Sequence, residues 1–286
     1  MEISPVKLPS SLQESIARDA SAEWRGWADR LETRLETVCE RWGIELEEPY
    51  AGATCAFVAP VRGRPLVLKL GIPHMEAEHE ADALALWDGR GAVRLVDLDP
   101  GSCAMLLERC EPGTCLRDLD EATQDGVIAS LLRTLWSVGS LAPPFRPLSE
   151  MTAAWTREVL AREAHWPDRA LVSEALELYR TLPRTDDQAL LATDLHAGNV
   201  LRAGRAPWLA IDPKPFVGDR AFDATQHLLN CRARLSREPA RIIDELARRI
   251  DVAPERLRLW TFARVVLFVE SWEDPGALQL AHRLRP

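Results

Sequence analysis

The sequence lacks most features that would take a chain outside the ordinary globular classes. No apolar run approaches the ~18 residues of a membrane-spanning helix, so no membrane crossing is expected. Met1 to Asp19 has no apolar stretch of the kind a signal peptide carries, so no secretory leader is expected either. The six cysteines, at 39, 55, 103, 110, 115 and 231, form no Cys-x-x-Cys pair. That spacing argues against a zinc site or disulfide framework and for reduced thiols in a cytoplasmic protein. Cations are not in excess: 35 Lys and Arg stand against 44 Asp and Glu, a formal charge of -9. Such a surface disfavours nucleic acid and anionic membrane and is compatible with a cationic partner. There is no internal repeat and no low-complexity tract. What is there is ordinary: 286 residues, 47% apolar and 28% charged, enough for one large domain or two lobes around a sizeable core.

Along the chain, residues 1 to about 20 read as an extended lead-in with Pro5 and Pro9. Ala22 to Trp42 reads as one amphipathic helix, since Trp24, Trp27, Leu31, Leu35, Val38 and Trp42 recur at helical steps and Gly43 follows. Three strand-like runs come next: Ile44 to Tyr50, Cys55 to Val61 and Pro65 to Leu70. The turn Ala51-Gly52-Ala53-Thr54 can lay backbone N–H groups over phosphates or be an ordinary hairpin turn. Pro73 to Trp87 reads as a helix with proline in its first turn and Gly89 past its end, and its His74 and His79 read as solvated. Ala92 to Asp97 and Cys103 to Leu107 complete an expected five-stranded antiparallel sheet carrying one helix. The polar Glu108–Thr114 segment, with its Pro-Gly turn, is the expected boundary between an N-terminal lobe (1–108) and a C-terminal lobe (109–286). From Leu116 on, the pattern is mostly helical, at about 121–139, 148–164, 168–182, 220–235, 237–250 and 254 to the end. The class is α+β in two lobes.

Two pieces carry chemistry. In Leu190–Leu201, Asp194 and Asn199 leave a turn between two apolar runs; in Trp208–Lys214, Asp212 ends a second such pair. Three oxygen-bearing side chains on adjoining strand ends can gather divalent cations and a reacting hydroxyl, as phosphoryl transfer requires. They can equally cap turns. Upstream, Lys69 lies inside the apolar strand Leu66–Leu70, where its charge needs a partner unless the strand is an edge. Glu80, or else Glu76 one turn earlier, is placed to supply that partner.

Asp194-Leu195-His196-Ala197-Gly198-Asn199-Val200-Leu201 resembles the catalytic loop of the aminoglycoside phosphotransferases, in the branch of the streptomycin 6-kinases and hydroxyurea phosphotransferases. Trp208–Lys214 resembles that family's metal-binding segment, and Gly218-Asp219-Arg220-Ala221-Phe222-Asp223 its following Gly-Asp-x-x-x-Asp run. The resemblance implies the protein-kinase-like fold. It implies Asp194 as the residue that orients the acceptor hydroxyl, with Asn199 and Asp212 as Mg2+ ligands. It implies that Lys69, set by Glu80, holds the phosphates of ATP or GTP beneath the Gly52 turn, with main chain from Leu107 through Glu108 to Cys110 on the nucleobase. Ala192-Thr193 replaces the His-Gly usual before the aspartate, and the Thr193 hydroxyl is available in that histidine's place. His196 reads as structural, Asp219 and Asp223 as braces of the loop, and Lys214 either as a phosphate or substrate contact or as a surface lysine.

The acceptor is expected between Asp194 and the C-terminal helices, facing Trp155, Trp260, Glu270, Trp272, Glu273 or Asp274. Carboxylates suit guanidinium or amine groups and indoles suit a cation or sugar face. The expected function is phosphorylation of a cationic, streptomycin-like aminoglycoside at a hydroxyl, inactivating it. Alternatives are a kinase of hydroxyurea or of an endogenous metabolite, and an inactive kinase-like binding protein. A monomer or weak dimer is expected.

Overall fold

The computed structural model describes residues 8–19, 21–138, 141, 144–269 and 272–286. No helix among them is long and apolar enough to cross a membrane.

The N-terminal elements are α1 (Ser10–Asp19), α2 (Ala22–Asp29), α3 (Leu31–Trp42), β1 (Ala56–Pro60), β2 (Leu66–Gly71), α4 (Glu80–Trp87), β3 (Leu95–Asp99) and β4 (Ala104–Glu108). The strands make one antiparallel sheet in the order β1-β2-β4-β3. Side chains alternate across it, as a strand demands. Leu68, Leu70, Ala104 and Leu106 join a cluster with Trp27, Leu31, Leu35 and Val38 of α2 and α3. Met105 and Leu107, on the other face, pack with Ala83, Leu84 and Trp87 of α4 in the cluster that continues into the C-terminal half. Lys69, between Leu68 and Leu70, points to that second face.

Five expectations need correction here. Residues 10–19 are helical, with Leu12 buried, where an extended segment was expected; residues 1–7 lie outside the described ones. The helix over 22–42 is two helices, parted at Arg30. The sheet has four strands, because Ile44 to Tyr50 makes only an isolated bridge, Leu46 to Val61, before Glu48 and Pro49, which lacks an N–H for a ladder. The helix over 73–87 is regular only from Glu80. Its first part is a run of turns whose side chains reach across to the C-terminal half, Glu78 to Arg146 at 2.5 Å and Glu76 to the Trp155 Nε1 at 3.3 Å. His79 is accordingly not solvated; its Nδ1 lies 3.0 Å from Asp82 and its ring stands edge-on to Phe145.

The remainder comprises α5 (Glu121–Ser137), α6 (Leu148–Ala161), α7 (Arg169–Thr181), β5 (Gln188–Leu191), β6 (Val200–Leu201), β7 (Leu209–Ala210), β8 (Phe216–Asp219), α8 (Arg220–Asn230), α9 (Arg232–Arg237), α10 (Pro239–Ile250), α11 (Pro254–Leu267) and α12 (Pro275–Leu284). Two small antiparallel ribbons, β5-β8 and β6-β7, sit among these helices. Gly218 in β8 has no room for a side chain, since a Cβ there would lie 2.5 Å from the Leu148 Cβ at the start of α6. The sheet half is stitched to the β6-β7 ribbon by Val93 N–H to Ala210 O (3.0 Å) and by Arg205, which holds Glu108 and the carbonyls of Gly89 and Ala92. These ties bring Lys69 over Asp212.

Candidate active site

The turn after β5 carries Asp194 and Asn199, and the turn after β7 carries Asp212. Thr193 and Asp212 both take left-handed backbone angles, φ +47° and +53°. That is uncommon for an aspartate and costly for a β-branched threonine, so the surroundings must hold them. They do. Asp223 of α8, fully buried, accepts from Ala192 N–H (3.1 Å), Thr193 N–H (2.7 Å) and the Trp136 Nε1 (2.8 Å). The Thr193 hydroxyl donates to Lys214 O at 2.5 Å and so ties the two turns together. Burial pushes the Asp223 carboxyl up to about 6, against those three donors. Asp219 caps α8 through Ala221 N–H and accepts from Arg256 and the Trp260 Nε1, both at 2.5 Å.

Lys69 Nζ lies 2.6 Å from both Glu80 carboxylate oxygens and 2.5 Å from Asp212 Oδ1. Burial alone would lower this ammonium; the Glu80 and Asp212 carboxylates outweigh it and hold the lysine above its ordinary range. Asp212 in turn is held below its ordinary range despite burial, chiefly by Lys69 and then Lys214. Of the two carboxylates open in the sequence, Glu80 is therefore the partner, and Glu76 is bonded to Trp155 instead.

Asp194 is gripped on both oxygens. Oδ1 accepts from Gln226 Nε2 at 2.8 Å, and Oδ2 lies 2.5 Å from Lys214 Nζ. Asn199 Nδ2 donates to the Asp194 carbonyl at 3.1 Å and reaches Oδ2 at 3.4 Å. Lys214 is no surface lysine: burial would lower it, but Asp194 and Asp212 hold it up at about 12. His196 turns its Nδ1 to Gly198 N–H (3.0 Å), and its Nε2 is 3.9 Å from Asp194; burial lowers its imidazole. It is neutral and fixes the turn.

Below Asp194 opens a cavity of about 420 Å3. Trp155, Glu76, Glu158, Lys214, Gln226 and Arg264 are among its lining. Of the expected acceptor residues, Trp155 is there. Trp260 is not: it is fully buried, with its N–H spent on Asp219, in the packing between α7, α8 and α11. Glu273 is exposed and outside the cavity, and Asp274 caps α12 and pairs with Arg232. Trp272 gives its N–H to Val266 O at 2.9 Å, and Glu270 lies outside the described residues. Among the nucleotide positions, Gly52 sits in an open turn with nothing within 4 Å of where a Cβ would be. Glu108 gives its N–H to Arg94 O at 3.0 Å and its carboxylate to Arg205, so it has neither to offer a base. The Cys110 N–H carries no hydrogen bond among the described residues.

Sequence reasoning passed over Glu158, Gln226 and Arg264. The signals were present but faint. Gln226 follows Asp223 by one turn on the same face of α8, and Arg264 interrupts the apolar run Trp260–Leu267.

Comparison with known proteins places the chain in a family. Residues 41–276 match the family described as aminoglycoside/hydroxyurea antibiotic resistance kinase. The chain is 34% identical to a streptomycin 6-kinase of Streptomyces glaucescens, covering 98% of this chain and 97% of that one. It is 36% identical to a hydroxyurea phosphotransferase of Kitasatospora aureofaciens, covering 97% and 84%. Among solved structures, the choline kinase LicA from Streptococcus pneumoniae superposes with a TM-score of 0.60 at 13% identity, over 90% of this chain and 97% of that one. The fold is protein-kinase-like, and the enzyme is a phosphotransferase that uses a nucleotide donor and a small-molecule acceptor. The chain belongs to the aminoglycoside/hydroxyurea antibiotic resistance kinase family.

Proposed function

We propose that this enzyme moves the γ-phosphate of ATP, or of GTP, to a hydroxyl of a streptomycin-like aminoglycoside, and so inactivates it in the cytoplasm. The observation that carries this reading is Asp194 at the wall of a cavity of about 420 Å3 whose other walls bear the Glu76 and Glu158 carboxylates and the Trp155 indole. That volume suits a drug-sized ligand, and carboxylates beside an indole suit guanidinium and amine groups. It is far more space than a molecule as small as hydroxyurea fills.

In this reading the N-terminal lobe (1–108), with Cys110 just beyond it, holds the nucleotide, and the C-terminal lobe (109–286), with Glu76, forms the acceptor site, in a monomer or weak dimer. Lys69, kept charged by Glu80, holds phosphate oxygens, and the open Cys110 N–H meets the nucleobase. Asp194 accepts the hydrogen bond of the acceptor hydroxyl, aims its oxygen at the phosphorus and takes its proton late in transfer. Lys214 keeps a positive charge beside that oxygen. Asn199 and Asp212 fit Mg2+. The Asn199 amide nitrogen is committed to Asp194, which leaves its oxygen as a ligand, and the Asp212 side chain is 44% exposed with one oxygen on Lys69. Two hard oxygen donors, with phosphates and water completing the shell, are what this cation takes. Bound there, it neutralises charge on the phosphate oxygens.

Transfer from labelled ATP and GTP to a panel of streptomycin, other aminoglycosides and hydroxyurea tests the proposal. Streptomycin is expected to accept fastest. Transfer to hydroxyurea alone would move the assignment to the smaller acceptor, and nucleotide binding with no transfer at all would favour a kinase-like binding protein.

A further inference from the structure

Arg264 is a half-buried cation at the cavity wall whose guanidinium touches no carboxylate among the described residues. Asp194, Glu76 and Asp223 act on its charge only from beyond direct contact. Its guanidinium carbon stands 4.8 Å from the centre of the Phe222 ring and 5.7 Å from that of Trp155. Nη1 donates to the Thr225 hydroxyl at 2.7 Å and Nη2 to Gln226 Oε1 at 2.6 Å. A guanidinium drawn out of water with no carboxylate in direct contact costs stability, so packing alone does not account for it. What it reaches does. With its oxygen bound to Arg264, the Gln226 amide must turn its nitrogen the other way, and there Nε2 meets Asp194 Oδ1 at 2.8 Å.

We propose that Arg264 and Gln226 form a positioning relay for Asp194: the guanidinium fixes the amide, and the amide fixes the carboxylate that orients the acceptor hydroxyl. The inference rests on the phosphotransferase reading of Asp194 given above. Three observations support it beyond the distances. The chain of donors runs one way, cation to carbonyl and N–H to carboxylate, so each bond polarises the next. Gln226 and Lys214 hold opposite oxygens of Asp194, which fixes the plane of the carboxylate as well as its position. Both relay residues line the acceptor cavity, so the relay lies where the hydroxyl must arrive. Asp194 is the catalytic residue; Gln226 and Arg264 act through it.

Gln226→Glu separates this role from simple packing between α8 and α11. It keeps an oxygen for Arg264 and gives that cation a counter-ion, but it removes the N–H that holds Asp194. Gln226→Met removes both. The measurements are kcat and acceptor KM for phosphorylation, kcat for the slow hydrolysis of ATP by the same enzyme, nucleotide affinity and thermal midpoint. Gln226→Glu gains Arg264 as a counter-ion but sets a second carboxylate against Asp194, so it is expected to fold with a modestly lower thermal midpoint, with both kcat values down on the order of 10²-fold, the cost of a misplaced catalytic group, and with nucleotide affinity and KM little changed. Arg264→Lys, which keeps the charge, is expected to retain more kcat than Arg264→Met. If Arg264→Met does not fold, the Gln226→Glu result still decides. A Gln226→Glu enzyme with wild-type kcat overturns the relay. A wild type that hydrolyses ATP yet phosphorylates no member of the panel overturns the acceptor assignment alone, and the relay is then read from hydrolysis. A wild type that transfers phosphate to neither acceptor nor water overturns both.

Discussion

Replacing Lys69 by methionine probes the upper half of the site with a sign that depends on pH. The lysine side chain is 8% exposed and that of Glu80 4%, so the variant leaves a buried carboxylate with no cation. Removing one member of a buried pair costs about 3–5 kcal/mol, and that is the loss of unfolding free energy expected at pH 7. In the wild type, burial already pushes the Glu80 carboxyl up to about 7 against the pull of Lys69. Without the lysine it ionises only at higher pH, while in the unfolded chain it ionises near its ordinary 4.5. Between those values the folded variant holds a proton that the unfolded one does not. Its stability therefore rises as pH falls, by about 1.4 kcal/mol per pH unit. Wild-type Glu80 takes up its own proton below about 7, so there the two proteins run in parallel; the deficit relative to wild type narrows as pH falls toward 7 from above, by about 1.4 kcal/mol per pH unit. Lys69→Met/Glu80→Leu, which removes both charges, should lie within about 1 kcal/mol of wild type over that range. Urea titrations of the three proteins at pH 7, 8 and 9 measure this. A Lys69→Met deficit below about 1 kcal/mol at pH 7, or one that does not change with pH, would refute the reasoning.

Asp223→Ala orphans three buried donors, Ala192 N–H, Thr193 N–H and the Trp136 Nε1. At about 1–3 kcal/mol each, less the relief of unburying a carboxylate, a net loss of about 3 kcal/mol is expected in urea unfolding, together with a fall in kcat as the Asp194 turn loosens. His196 is held by burial below its ordinary 6.5, so only the unfolded chain takes up its proton near that pH. Stability should thus fall as pH drops through 6.5, and His196→Asn, which keeps an acceptor for Gly198, should flatten that part of a thermal-midpoint curve. Asp223, raised to about 6 from 3.8, works in the opposite direction below pH 6, because there the folded state is the one that gains a proton. Gly218→Ala drives a methyl against the Leu148 Cβ and should cost about 1–3 kcal/mol in chemical denaturation, and Leu148→Ala should not restore it because the clashing Cβ remains.

The sequence made the reacting core legible because that core is local. Asp194 and Asp212 end apolar runs and Asn199 precedes one, and a strand lysine with a glutamate eleven residues on needs only one strand and one helix to meet. Asp223 was readable as a brace for the same reason, from its motif. The acceptor wall was not, since it is assembled by tertiary packing. Gln226 and Arg264 meet across 38 residues, and Trp155 meets Glu76 across 79. Trp260 shows how little periodicity can say there: it lies one turn before Arg264 on α11, yet its indole goes into the core while the arginine reaches the cavity. The irregular start before α4 was hidden likewise, because its partners lie far on in the chain: Arg146, just before α6, bonds Glu78, and Trp155 of α6 bonds Glu76.

The central claim is that Asp194 orients and deprotonates the acceptor while other residues hold the nucleotide. Asp194→Asn tests it most directly, with single-turnover phosphate transfer and nucleotide affinity measured on the same preparation. The account predicts a fall in transfer of about 10²–10⁴-fold, the range for loss of a positioned base, with nucleotide affinity nearly unchanged. Transfer that persists within about tenfold of wild type, or a parallel collapse of nucleotide binding, would contradict it.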